Sequence, residues 1–165
     1  MAINEKIQKA INKQVNAELY SSYLYLSMSA HFAAQNWPGI AAWLKVQAKE
    51  ENGHAMKLYE YLLERGGVVE FAAIEAPKRE WKSALAAFQD VYAHELKITA
   101  LLNDLLKTAK KEDDTATQIM LQWYITEQVE EEANASVIVE QLKRIGDSTN
   151  GLFMFDHQIG KRKEG

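Results

Sequence analysis

Glu50-Glu51-Asn52-Gly53-His54-Ala55-Met56-Lys57 lies midway along an unbroken helical pattern, and it decides how the rest of the chain is read. Glu51 and His54 are three residues apart, so both side chains leave the same face of a helix. Glu18, Glu95 and Glu131 each interrupt an apolar stripe elsewhere, at a mid-helix position where a hydrophobic residue is expected. Carboxylates placed this way cost folding energy unless positive charge sits between them. No lysine or arginine falls on those stripes. A pair of divalent metal ions is the natural counter-charge.

The surrounding spacing supports four long helices. Ile11, Val15, Glu18, Ser22, Tyr25 and Ser29 share one face at three- and four-residue steps; Leu44, Glu51, His54, Leu58 and Tyr61 do the same. Further on come Phe88, Val91, Glu95, Ile98 and Leu102, then Met120, Tyr124, Gln128, Glu131, Ala135 and Ile138. Each face carries one polar layer between apolar layers. Where the four layers meet, four carboxylates and one imidazole converge. A single glutamate on a helix is ordinarily solvated, and a single histidine is ordinarily a hydrogen-bonded structural residue. The joint pattern carries the reading. Oxygen-rich ligation with one nitrogen suits iron or manganese better than copper. Four negative charges neutralise two ferrous ions, and Glu51 as a bridge would hold them roughly 3.5–4 Å apart.

Punctuation sets the topology. Asn4 caps a first predicted helix to about Gln35; Pro38 opens a second that ends at Arg65 before Gly66-Gly67. Ser83 caps a third to about Lys111, Glu112-Asp113-Asp114 makes an acidic turn, and a fourth runs from about Thr115 to Ile145, stopped by Gly146. A short fifth helix is predicted between Thr149 and Lys161. The two tight connections make antiparallel pairs. The link from 67 to 82 is long: roughly 16 residues at about 3.3 Å each reach about 50 Å, more than the length of a four-helix-bundle rod of about 42 Å. The second and third helices can therefore run parallel. Val68, Val69, Phe71 and Ile74 make this link too apolar for a free linker.

With 165 residues, 47% of them hydrophobic, the chain reads as one domain spanning 1–165, with the bundle at about 4–145 and the last helix at about 149–161. The absence of cysteine excludes disulfides, zinc–thiolate sites and iron–sulfur ligation. A net charge of -4 disfavours nucleic acid as a partner, and Lys161-Arg162-Lys163 reads as a solvated tail. Neither a leader-like apolar region at Met1-Ala2-Ile3-Asn4-Glu5-Lys6 nor a membrane-length segment is present, so a cytoplasmic protein without a membrane partner is expected.

The combination of Glu-x-x-His with single glutamates on neighbouring helices is the known pattern of ferritin-like carboxylate bundles. Essentially the whole chain resembles a bacterial or archaeal non-haem ferritin, carried by Ala17-Glu18-Leu19-Tyr20-Ser21-Ser22-Tyr23-Leu24-Tyr25-Leu26, by Glu50 to Lys57 and by Glu127-Gln128-Val129-Glu130-Glu131-Glu132. The resemblance implies an all-α, ferritin-like four-helix bundle with one long crossover between the second and third helices, plus the short C-terminal helix. It implies that Glu18, Glu51 and His54 bind a first iron and that Glu51, Glu95 and Glu131 bind a second, with Gln128 nearby. Tyr25, one heptad after Glu18, resembles the family's redox-active tyrosine. A third iron position is implied at Glu50, Glu127 and Glu130, with Glu131 shared. Taken alone, Glu127 and Glu130 would pass for a solvated acidic face. Trp123, one turn earlier, reads as a buried core residue, with electron donation as the other option.

The function so implied is iron storage with ferroxidase activity: Fe(II) oxidised by dioxygen or hydrogen peroxide and stored as Fe(III) mineral inside a homo-oligomeric shell of 24 subunits. Leu152-Phe153-Met154-Phe155 would serve at a symmetry axis of such a shell or fold back on its own bundle. Haem is not expected, because Asn52 stands where the family's haem-binding branch carries methionine. A second Glu-x-x-His, as in bacterioferritin and rubrerythrin, is replaced by Gln128-Val129-Glu130-Glu131. A DNA-protecting mini-ferritin builds its site between subunits; the intrabundle ligand set expected here and the want of a basic arm argue against that branch. A di-iron oxidase or oxygenase acting on a small organic substrate is the alternative enzyme, and a metal-free interaction module the alternative outside enzymes. Gly53, inside a helix beside a ligand, costs roughly 1 kcal/mol relative to alanine and reads either as a loosening of the site or as room for a neighbour.

Overall fold

In a computed structural model, which describes residues 2–164, the chain forms five helices: α1 (Glu5–Ala34), α2 (Pro38–Glu64), α3 (Ala84–Lys111), α4 (Thr115–Ile145) and α5 (Thr149–Ile159). The predicted caps operate as side-chain acceptors. Asn4 receives the Lys6 amide, Ser83 that of Ala86, and Asp114 that of Thr117. Gly66 has φ +69°, a left-handed stop for α2 that a side chain would resist. The acidic turn is more than a solvated corner: Asp114 forms a two-pronged pair with Arg65 at 2.9 and 3.0 Å, and Glu112 meets Lys6 at 2.8 Å. It thereby ties the α3–α4 turn to the ends of α1 and α2.

The link between α2 and α3 is a pinned crossover that runs along α1 in the same direction. The Val68 amide donates to Gln8 (2.9 Å), the Glu70 amide to Asn12 (2.9 Å), and Ser27 donates to the Lys78 carbonyl (2.7 Å). Side-chain amides and hydroxyls of α1 therefore replace the ladder that an extended strand would need. α2 and α3 run parallel as a result. The link is not free, as its apolar content predicts, but of those residues only Val69 packs against a core; Val68, Phe71 and Ile74 stay exposed, and the polar α1 face holds most of the segment.

Two apolar cores lie at opposite ends of the bundle. Ile7, Ile11, Leu58, Leu102 and Leu121 belong to one; Met28, Phe32, Leu44, Phe88 and Val139 belong to the other. Between them lies a buried polar layer drawn from the middle of all four long helices.

α5 docks on one end of the bundle. Its Phe155 enters the core, while Phe153 and Met154 remain 60% and 75% exposed, so the apolar run is divided between folding back and facing outward. α2 has no cap of its own at Trp37. Asp156 of α5 supplies it, accepting from the buried Ile40 amide at 2.8 Å. Gly39 permits the approach: a Cβ there would lie 1.8 Å from the Asp156 carbonyl oxygen. Asp156→Ala is expected to loosen this joint by about 1–2 kcal/mol, the usual worth of a cap. Hydrogen exchange should read it as roughly tenfold faster exchange confined to α5 and the first turn of α2, with Asp156→Asn recovering most of the protection.

Candidate metal centre

The four helices bring together every carboxylate singled out on the apolar stripes. Glu18 of α1, Glu51 and His54 of α2 form one group; Glu51, Glu95 of α3 and Glu131 of α4 form another, with ligand atoms in each group within 4.8 Å of one another. Glu51 belongs to both, and all five residues are buried. Helical spacing explains the convergence, since each lies on the inward stripe of its own helix.

Neutral amides hold these carboxylates. Gln14 donates to Glu18 at 2.8 Å, and Gln47 donates to Glu51 at 3.0 Å and to Glu131 at 2.8 Å. Gln128 donates to Glu95 at 3.0 Å. Tyr25 donates a short hydrogen bond to the other oxygen of Glu95. His54 Nδ1 faces Glu51 Oε2 at 3.1 Å, and the Tyr124 hydroxyl donates to the His54 carbonyl at 2.7 Å. No lysine or arginine is among the buried residues described. Glu18 Oε2 is buried with no hydrogen-bond partner. A buried carboxylate oxygen left open, among acidic neighbours held only by neutral donors, is what a cation site offers.

The electrostatics agree. Burial first, and then the charge of Glu51, push the Glu18 carboxyl well above the usual carboxylate range. Burial, Glu95 and Glu131 do the same to Glu51. Glu95 is raised by burial, partly offset by the Tyr25 and Gln128 hydrogen bonds. Burial and the Glu95 charge raise Glu131 to about 7. Burial and the Glu95 carboxylate keep the Tyr25 phenol protonated far above its ordinary range. Without a cation, then, the cluster favours bound protons.

Glu50, Glu127 and Glu130 stand outside this buried layer but beside it. With His54, Glu131 and Trp123 they line a cavity of about 500 Å³ that opens onto the metal centre. Trp123 is not the core residue expected from its position. It is 37% exposed, stacked edge-on to His54 and capped by the Lys57 ammonium 3.8 Å from its ring centre. Its place on α4 points it into the cavity, one helical turn from Glu127, rather than along the inward stripe that Tyr124 occupies. Gly53 lines the same cavity, and a Cβ there would meet nothing within 4 Å, so its glycine makes no room for a neighbour.

Gln14 and Gln47 were not singled out from the sequence. A signal for them exists: each precedes a buried glutamate by four residues, which puts the amide over the carboxylate on the same face. Nothing in the linear pattern marks the reach of Gln47 to Glu131 on another helix.

Fold and site together define a helical bundle built around a buried carboxylate–histidine cluster able to hold metal ions. The chain belongs to the ferritin family: the model of the ferritin-like domain matches residues 8–145. It is 43% identical over 160 residues to the bacterial non-heme ferritin of Bacteroides fragilis, covering 97% of this chain and 99% of that protein. A probable bacterial non-heme ferritin-like protein of Haemophilus influenzae is 41% identical over 158 residues, covering 96% of each. Among solved structures, the Archaeoglobus fulgidus ferritin engineered into a closed form superposes with a TM-score of 0.98 at 46% identity, covering 99% of this chain and 100% of that one. The open-pore ferritin of the same archaeon superposes with a TM-score of 0.96 at 46% identity, covering 98% of each chain. Membership of the non-haem ferritins makes the chain an iron-storage ferroxidase. Among the described residues no helix is long and apolar enough to cross a membrane.

Proposed function

We propose that Glu18, Glu51 and His54 take one Fe(II) substrate ion and that Glu51, Glu95 and Glu131 take a second, with Glu51 as the shared carboxylate. The observation that carries this reading is the buried, unpartnered Glu18 Oε2 in a cluster with no buried cation. The chain's own residues do the positioning. Gln14, Gln47 and Gln128 fix the carboxylates by hydrogen bonds that leave their charge intact, so the site is aligned before the ions arrive.

Electrons pass from Fe(II) to dioxygen or hydrogen peroxide as oxidant. Tyr25 would supply a further electron: its hydrogen bond to Glu95 gives its proton a path, so the disfavoured phenolate need not form. Glu50, Glu127 and Glu130, with Glu131, offer a third cation position on the way out through the acidic cavity. A cavity lined by that many carboxylates suits a cation better than an organic substrate, which disfavours the oxygenase alternative.

The family implies iron as the substrate and a cage-like homo-oligomer; we extend this to a shell of 24 subunits without haem. We read residues 1–165 as one ferritin-like domain working in the cytoplasm, with neither nucleic acid nor membrane as partner. The test is aerobic loading with Fe(II) followed by gel filtration. Iron eluting with a large particle, at far more ions per subunit than the two or three these ligands hold, is the expected result. Retention limited to those few ions would overturn the storage reading and leave a di-iron oxidase.

A further inference from the structure

Beyond α5 the chain turns back over the cavity, and Arg162 reaches the edge of the metal centre. Its guanidinium lies 4.5 Å from the Trp43 ring centre, donates to Gln47 Oε1 at 2.7 Å and pairs with the Glu50 carboxylate. Gln47 is 1% exposed, and its amide nitrogen is the group that donates to Glu51 and Glu131. Because its oxygen is held by Arg162, the nitrogen is turned toward the carboxylates. One cation on the C-terminal segment is thus joined to Glu50 directly and to the two inner glutamates through a single buried amide. The segment expected to be a solvated tail is docked, and Lys49 and Glu164 form a further exposed contact at 2.5 Å.

We propose that Arg162 is a positioning residue that competes with a divalent cation for Glu50, so that the C-terminal segment is a charge-operated latch on the third cation position. The inference rests on the reading of Glu50, Glu127, Glu130 and Glu131 as that position. Its physical basis is exclusion. The guanidinium uses the Glu50 carboxylate in a charge-assisted pair, and a cation placed against the same carboxylate would meet a like charge at close range. With the position empty, Arg162 compensates Glu50 and holds Gln47 in register with the inner carboxylates. When a cation arrives, Arg162 must give up Glu50. The stacked, forked guanidinium suits this role better than an ammonium would, because the Trp43 contact and the paired donors fix its approach.

The experiment is anaerobic equilibrium dialysis of Fe(II) against the assembled, iron-free protein, which reads binding without turnover. In Arg162→Gln the third ion should bind about two- to fivefold more tightly than in the parent, the scale of a partly exposed ion pair released from competition. Arg162→Lys should fall between the two, and raising the salt should narrow the gap. Glu50→Gln should abolish the third ion whether Arg162 is present or not. The direction separates a latch from a merely structural contact, whose loss would weaken binding. If Glu50→Gln loses the third ion but Arg162→Gln leaves its affinity unchanged or weaker, the latch is overturned and the third position stands. If Glu50→Gln still binds the third ion as the parent does, the assignment of that position is itself wrong.

Discussion

Glu51→Gln is expected to slow Fe(II) oxidation by about 100-fold or more while the bundle and its assembly remain intact. Glu51 is the residue common to both carboxylate groups, so in the proposed reading its charge would be shared between two cation positions. A glutamine keeps the shape and one ligand oxygen, but it has no charge to share and cannot bridge two cations. Losing even an outer partner of a metal ligand costs 10- to 100-fold in typical sites, and a bridging ligand should cost at least the upper end. The surroundings tolerate the change, because Gln47 can still donate to the side-chain oxygen of a glutamine. The same substitution should stabilise the metal-free protein near neutral pH. It removes a carboxylate whose ionised form is disfavoured by burial and by Glu95 and Glu131. Stopped-flow oxidation at two Fe(II) per subunit and thermal melting of the chelated protein read the two effects. A variant that oxidised iron at the parent rate would mean that Glu51 does not bridge.

Glu131→Gln should make the metal-free protein progressively more stable than the parent as pH rises from about 4.5 to 7. Glu131 ionises near 4.5 in the unfolded chain but near 7 in the folded one, where burial and Glu95 oppose its charge. Between those values the folded state holds a proton that the unfolded state has released. Stability from this group is therefore full below pH 4.5 and is lost as pH rises through 7. The difference between variant and parent should reach on the order of 3 kcal/mol and level off above pH 7. The comparison with the variant is essential, because His94 acts in the opposite sense. Burial lowers its pKa to about 4, so its contribution grows as pH rises toward 6.5. Taking the difference between the two proteins cancels His94. Zinc or Fe(II) under anaerobic conditions should reverse the order, stabilising the parent more than the variant at pH 7, since the cation needs the ionised carboxylate. A variant–parent difference that stays flat with pH in the chelated proteins would show that Glu131 is ionised throughout.

Both predictions come from residues that helical periodicity already marks. Long amphipathic helices with one wrong-polarity residue each are readable because burial, not local propensity, decides whether a glutamate belongs on an apolar stripe. The helix limits were equally legible: Asn4, Pro38, Ser83 and Gly146 act where their chemistry predicts. The length of the crossover allowed parallel second and third helices, and the hydrogen bonds from Gln8 to Ser27 show that arrangement. The carboxylates beside the buried layer were less legible. Glu50, Glu127 and Glu130 lie off the inward stripes, where sequence alone does not distinguish a cavity wall from a solvated face.

What the linear order determined by itself is everything governed by a short repeat: four helices, their inward faces, and the polar layer of four carboxylates and one imidazole between two apolar cores. What only the tertiary structure decided are contacts between segments far apart in the chain. Asp156 caps a helix that begins 118 residues earlier, at Pro38. Trp123 faces a cavity instead of the core, and Gln47 spans two helices to reach Glu131. Arg162 leaves what reads as a charged tail to join Glu50. Periodicity describes how one helix faces its surroundings. It carries no information on which distant polar group satisfies a donor or a charge, because that is settled by the packing of the whole chain.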